Sequence, residues 1–167
     1  ILLPFRIVDK FTVSDVPFYI ALGIVAAITS IYFTGVYDKT SKIFDNIGSP
    51  VKRLIIGGIA IGILIYFIPP LYGEGFDVIN NLIAGNPKEA LNNNFLDMNL
   101  ENVWIVIGLL AGLVFFKIIA SSITFGAGGV GGIFAPTLFM GSIMGNCIAK
   151  IINNSGVFQS PISESNF

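Results

Sequence analysis

Charge in this 167-residue chain is confined to clusters, and the stretches between the clusters are long enough to cross a bilayer. Residues 16 to 37 carry no Asp, Glu, Lys or Arg, and neither do residues 54 to 73 or 118 to 149. A helix needs about 20 apolar residues to cross a hydrocarbon core of about 30 Å. Charged side chains make up 11% of the chain, less than half the roughly 25% of soluble domains, and mean hydropathy is +0.83. This excludes disorder, collagen-like structure and an ordinary soluble enzyme. There is no histidine, and Cys147 is the only cysteine, so neither an intrachain disulfide nor a thiolate zinc cluster can form. A net charge of −1 without a basic stripe gives no reason to invoke nucleic acid. With no nucleophile–base pair, metal cluster or cofactor motif, the chain does not read as an enzyme, and no cofactor is expected.

The parse is all-α and polytopic. Four spans are expected over residues 16–46, 50–70, 100–125 and 134–153. Ser14 or Asp15 can cap the first, with Pro17 in its first turn, and Ser49-Pro50 repeats that pattern for the second. Pro69-Pro70 ends the second span. Residues 76–84, closed by Gly85-Asn86-Pro87, make a helix of only about 14 Å, too short to cross. It reads as a surface helix or a re-entrant half-span, and the latter survives only against protein or a watery cavity. Residues 86 to 101 are the most polar part and read as an aqueous loop, with Trp104 at the mouth of the next span. Gly58-x-x-x-Gly62, Gly108-x-x-x-Gly112 and Gly141-x-x-x-Gly145 have the spacing of close helix approach, although glycine is also simply frequent in membrane helices. Lys117 lies well inside the third span, where it either snorkels or pairs with a carboxylate, or faces an anion path. The loop at 38 to 53 holds Lys39, Lys42, Lys52 and Arg53 and should be cytoplasmic; the loop at 86 to 101 holds Lys88 and three acids and should be extracytoplasmic.

The run Gly126-Ala127-Gly128-Gly129-Val130-Gly131-Gly132 breaks the longest uncharged stretch. It matches G-x-G-x-x-G, but no Asp or Glu occurs between Glu101 and Glu164, and a dinucleotide site also needs a preceding strand. Two readings stay open. Gly126, Gly128, Gly129 and Gly131 form a hinge that lets two helices pack. Alternatively, the hinge presents the start of the helix at Phe134, with Pro136 in its first turn, to an anion. The first N–H groups of a helix lack intrahelical acceptors and carry the positive end of its dipole. Such a site holds an anion without a full positive charge, which suits an ion that must also leave.

Gly131-Gly132-Ile133-Phe134-Ala135-Pro136 resembles the G-x-F-x-P signature of the CLC family of chloride channels and chloride–proton antiporters, here of the bacterial type. Ser121 to Gly129 resembles the approach to that signature, Thr137 to Gly141 the helix after it, and Leu71-Tyr72-Gly73-Glu74-Gly75-Phe76 the start of the family's half-helix. Lys117 falls where bacterial members often carry a basic residue. Val130 stands where the family frequently has serine or proline, so no side-chain hydroxyl is offered there. The resemblance covers most of residues 4 to 153. It implies half of an inverted-repeat fold with broken and re-entrant helices, carrying most of the second half and lacking the gating-glutamate segment. It also implies that the chain is a piece of a longer protein that dimerises in the inner membrane, with lipid, chloride, protons and the rest of its own chain as partners. Backbone amides of Ile133 and Phe134 would then ligate chloride at a central site and those around Gly132 and Ala135 at an outer one, in a voltage-gated-type channel or an antiporter. The isolated piece is expected to be inactive. A different glycine-broken transporter, or a structural membrane subunit, is the alternative.

Overall fold

A computed structural model of the chain describes residues 16–84, 86 and 102–155. All regular structure among the described residues is helical. The elements are α1 (Val16–Asp45), α2 (Pro50–Phe67), a 3-10 turn (Pro69–Leu71), α3 (Phe76–Ile83), α4 (Val103–Gly126) and α5 (Phe134–Ser155). Helices α1, α2, α4 and α5 are each long and apolar enough to cross a membrane. The Ser14 or Asp15 cap, the polar loop at 87–101 and the tail beyond residue 155 lie outside the described residues.

Local chemistry sets the element ends. At the end of α1, Arg53 reaches back across the connection. Its Nε donates to Ile47 O at 2.8 Å, Nη2 to Asp45 O at 3.1 Å, and Nη1 to the Asp45 carboxylate at 3.3 Å. A cation at a helix C-terminus satisfies final carbonyls and opposes the negative end of the dipole. Ser49 holds the N-cap position of α2 in extended backbone, ahead of Pro50, but its hydroxyl makes no cap bond; its carbonyl accepts from Arg53 N at 3.0 Å. Helix α2 stops at Phe67, earlier than the expected bound near residue 70. Ile68 precedes a proline, is pushed out of the helical region to φ −133° and ψ 75°, and cannot continue the helix. At the other end of the third span, Asn102 caps α4 by accepting from Trp104 N at 3.0 Å.

The core lies between α3, α4, α5 and the turn before α3. Ile79, Leu82, Leu110, Leu113, Ile118, Phe139 and Ile143 are its most buried apolar members. Helices α4 and α5 bury 44% of their apolar windows, whereas α1 and α2 each bury 6%. Ile20, Ile24, Ile28 and Ile31 of α1, and Leu54, Ile59, Ile63 and Tyr66 of α2, face outward. Apolar surface on that scale requires lipid or further protein against it.

Five of the six glycines that the spacing selects make no close approach. A β-carbon at Gly58, Gly62, Gly108, Gly112 or Gly141 would meet nothing within 4 Å. Gly57 makes the approach instead: its β-carbon would overlap Ala127 Cβ. Gly126 does the same against the Phe44 ring, at 2.7 Å from Cδ2.

Helix α3 has eight residues, about 12 Å of rise, and cannot span about 30 Å. It is preceded by two left-handed glycines, Gly73 at φ 64° and Gly75 at φ 80°. Gly75 carries a second constraint, because a β-carbon there would overlap the ring of Phe139, itself fully buried on α5. Gly73 has open space around it. In the full-length protein, Gly73→Ala should therefore lose about 1–2 kcal/mol from the backbone alone. Gly75→Ala should lose roughly 1–3 kcal/mol more, through overpacking. Thermal unfolding in detergent checks the order; equal losses would show that the Phe139 contact does not limit the turn.

Candidate anion-binding site

The glycine run ends α4 with a complete Schellman turn. Gly129 N donates to Thr124 O at 2.8 Å and Gly128 N to Phe125 O at 3.0 Å, with Gly128 left-handed at φ 93°. A β-carbon on Gly129 would lie 2.7 Å from both Cγ2 and O of Thr124. Gly126, Gly128 and Gly129 thus reverse the chain. Residues 129–132 then run without regular structure and largely exposed to the start of α5.

The first helical bond of α5 runs from Thr137 N to Ile133 O at 3.0 Å. The N–H groups of Ile133, Phe134 and Ala135 therefore have no intrahelical acceptor, and Pro136 has no N–H. The Thr137 hydroxyl lies 3.0 Å from Ile133 O and 2.8 Å from Phe134 O, so it turns back onto the helix and does not compete for those amides. Ile133 is half exposed and Phe134 75% exposed.

A cavity of about 470 Å³ opens beside this helix start. Gly131, Gly132, Phe134, Ala135 and Pro136 line it from one side. Lys117, Ala120, Ser121 and Thr124 of α4 line it from another, with Leu71, Gly73 and Glu74 from the connection before α3. Of the expected ion-binding residues, Gly132, Phe134 and Ala135 are brought to this cavity, whereas Ile133 is not part of its lining. The Thr124 hydroxyl donates to Ala120 O at 2.8 Å. Glu74 is exposed.

Lys117 is only 4% exposed, so it does not snorkel. Its Nζ donates to Gly73 O at 2.7 Å and Leu71 O at 3.1 Å, and lies 4.9 Å from the centre of the Phe139 ring. Lys117 has carbonyls as its partners in place of a carboxylate. It sits fourteen residues into α4, about 21 Å along the axis, so the carbonyls it holds lie at membrane depth. The sequence shows a lysine inside an apolar helix but gives no signal for these partners, which are backbone atoms more than forty residues earlier.

Glycine-hinged helices and a half-length helix around a buried cation make this an all-helical, polytopic integral membrane chain. It belongs to the voltage gated chloride channel family, whose model matches residues 2–165. Among relatives, it is 27% identical over 128 residues to the putative chloride channel protein ClcB-like of Ralstonia nicotianae, covering 76% of this chain and 26% of that protein. Against the voltage-gated ClC-type chloride channel ClcB of Citrobacter koseri it is 27% identical over 127 residues, covering 75% and 26%. Against chloride channel protein CLC-f of Arabidopsis thaliana it is 28% identical over 157 residues, covering 88% and 18%. The chain thus spans about a quarter or less of the length of these relatives. No solved structure matches it.

Because Gly128 is the left-handed residue of the turn, Gly128→Ala should cost about 1–2 kcal/mol of stability. Gly131 is without a positive φ, and its nearest neighbour is an ordinary contact 3.9 Å away on Phe125, so Gly131→Ala should stay within about 0.5 kcal/mol. Thermal unfolding of the two full-length variants in detergent tests this; equal effects would show that the turn does not depend on its left-handed residue.

Proposed function

We propose that the protein containing this chain moves chloride across a membrane, binding the ion with backbone amides at the start of α5. One observation carries the reading: Phe134 and Ala135, whose N–H groups have no intrahelical acceptor, line a cavity of about 470 Å³ at that helix start. Membership of the voltage gated chloride channel family supports it. In this reading the amides of Ile133 and Phe134 ligate the ion at a central position, and those around Gly132 and Ala135 serve an outer one. The exposed ring of Phe134 offers its positive edge to the same ion. Amide dipoles hold an anion and release it more readily than a directly ligating cation would. Gly126, Gly128, Gly129, Gly131 and Pro136 set the geometry of the helix start without contacting the ion.

The remaining partners follow from the same reading. The exposed faces of α1 and α2 meet lipid or the rest of the parent chain, and the full-length protein is a homodimer in a bacterial inner membrane. The connection holding Lys39, Lys42, Lys52 and Arg53 faces the cytoplasm. A half-pore leaves the helix start open on one side, so the isolated chain conducts little or no chloride. Coupling of chloride to protons separates an antiporter from a channel.

Chloride efflux from liposomes holding the full-length protein, with internal pH recorded together, tests the proposal. Chloride flux is expected, and coupled proton movement makes the protein an antiporter. Substitution of Gly132 or Phe134 should change anion selectivity while assembly is retained. A well-folded protein that moves an organic solute and ignores chloride would contradict the proposal. Variants of Gly132 and Phe134 that alter only assembly would point to a structural subunit.

A further inference from the structure

Lys117 is the residue on this cavity whose chemistry is not used by the helix-start site. An ammonium group has three donors. Two go to Gly73 O and Leu71 O, and the face of Phe139 lies 4.9 Å from Nζ. These partners hold the group in place, but they are neutral. Lys117 also lines the cavity together with Gly132, Phe134 and Ala135. A buried charge with neutral partners keeps its field, and that field reaches whatever occupies the shared cavity.

We infer that Lys117 is a positioning and specificity-determining residue: its charge raises anion occupancy of the cavity at the start of α5, while its tethering to two carbonyls keeps it from ligating the ion. The inference rests on the proposed chloride site and adds a source of selectivity to it. The amides supply short-range ligands, and Lys117 supplies the longer-range preference for negative charge. A tethered ammonium cannot follow the ion and trap it, so occupancy rises without a direct ionic bond. The same two hydrogen bonds fix the connection before α3, so removing the side chain has a mechanical and an electrostatic consequence. The two are separable, because a neutral amide side chain can still donate to a carbonyl.

Isothermal titration of chloride into the full-length protein in detergent, run beside thermal unfolding, tests this with Lys117→Met, Lys117→Gln and Lys117→Arg. For a unit charge sharing a cavity of this size with an anion, a screened Coulomb interaction corresponds to about a tenfold change in affinity. Lys117→Met and Lys117→Gln should both weaken chloride binding by about this factor, whatever their unfolding temperatures, and Lys117→Arg should restore most of it. Neutral variants that fold and bind chloride as tightly as wild type would overturn the inference. So would neutral variants that fail to fold beside a Lys117→Arg variant that folds but has lost the wild-type affinity. If neither neutral variant folds, wild-type affinity in Lys117→Arg together with weakened affinity in Lys117→Arg carrying Phe139→Leu, which removes the ring but keeps an apolar side chain, would contradict a role for the charge alone. Unchanged affinity in that pair supports it. Wild-type protein that binds no chloride would contradict the proposed function itself, separately from these comparisons.

Discussion

Irregular backbone inside a membrane must find polar partners within the protein, and in this chain Lys117 supplies them. The carbonyls of Leu71 and Gly73 lie at the end of the short 3-10 turn and in the loop after it, at a depth of α4 where lipid offers no hydrogen bonds. One ammonium group satisfies both. The consequences spread outward from there. The connection can turn through left-handed Gly73 and Gly75, α3 can begin against Phe139, and α3, α4 and α5 close around one apolar core. Phe139 is common to these contacts, since its ring lies near Nζ and fills the space a side chain at Gly75 would need.

The second constraint is the Schellman turn after α4. Its hydrogen bonds take up two of the orphan carbonyls of α4, those of Thr124 and Phe125. The orphan amides of α5 receive no comparable partner from their own helix. Phe134 and Ala135, at that helix start, line the cavity. In the proposed site, the Lys117 ammonium on the same lining adds to the positive end of the α5 dipole. Exposed Glu74 is the acidic residue among those lining the cavity.

Much of the helical architecture was legible because charge spacing and proline positions have direct physical meaning in a bilayer. The charge gaps pointed to the apolar helices, and the glycine run marked the break between α4 and α5. The stop of α2 at Phe67 was less legible, because a proline acts through the residue before it and ends the helix early. The glycine spacing was misleading in a particular way. Gly58 and Gly62 carry the motif, yet Gly57 makes the contact, because facing geometry depends on which neighbour is present. At the candidate site, Gly132, Phe134 and Ala135 were singled out by the resemblance to the G-x-F-x-P signature, and the structure places all three on the lining of one cavity. Lys117 could be singled out, but its role could not. Its partners are carbonyl oxygens, which every residue has and no sequence pattern distinguishes.

The central claim is that an anion is held by backbone amides at the start of α5 and not by a charged side chain. Anomalous scattering from crystals of the full-length protein soaked in bromide tests it most directly. The account predicts a bromide peak within hydrogen-bonding reach of the Ile133 and Phe134 amides, with Lys117 Nζ still on the carbonyls of Leu71 and Gly73. A peak bound directly to Lys117 Nζ, or none at the start of α5, would contradict it.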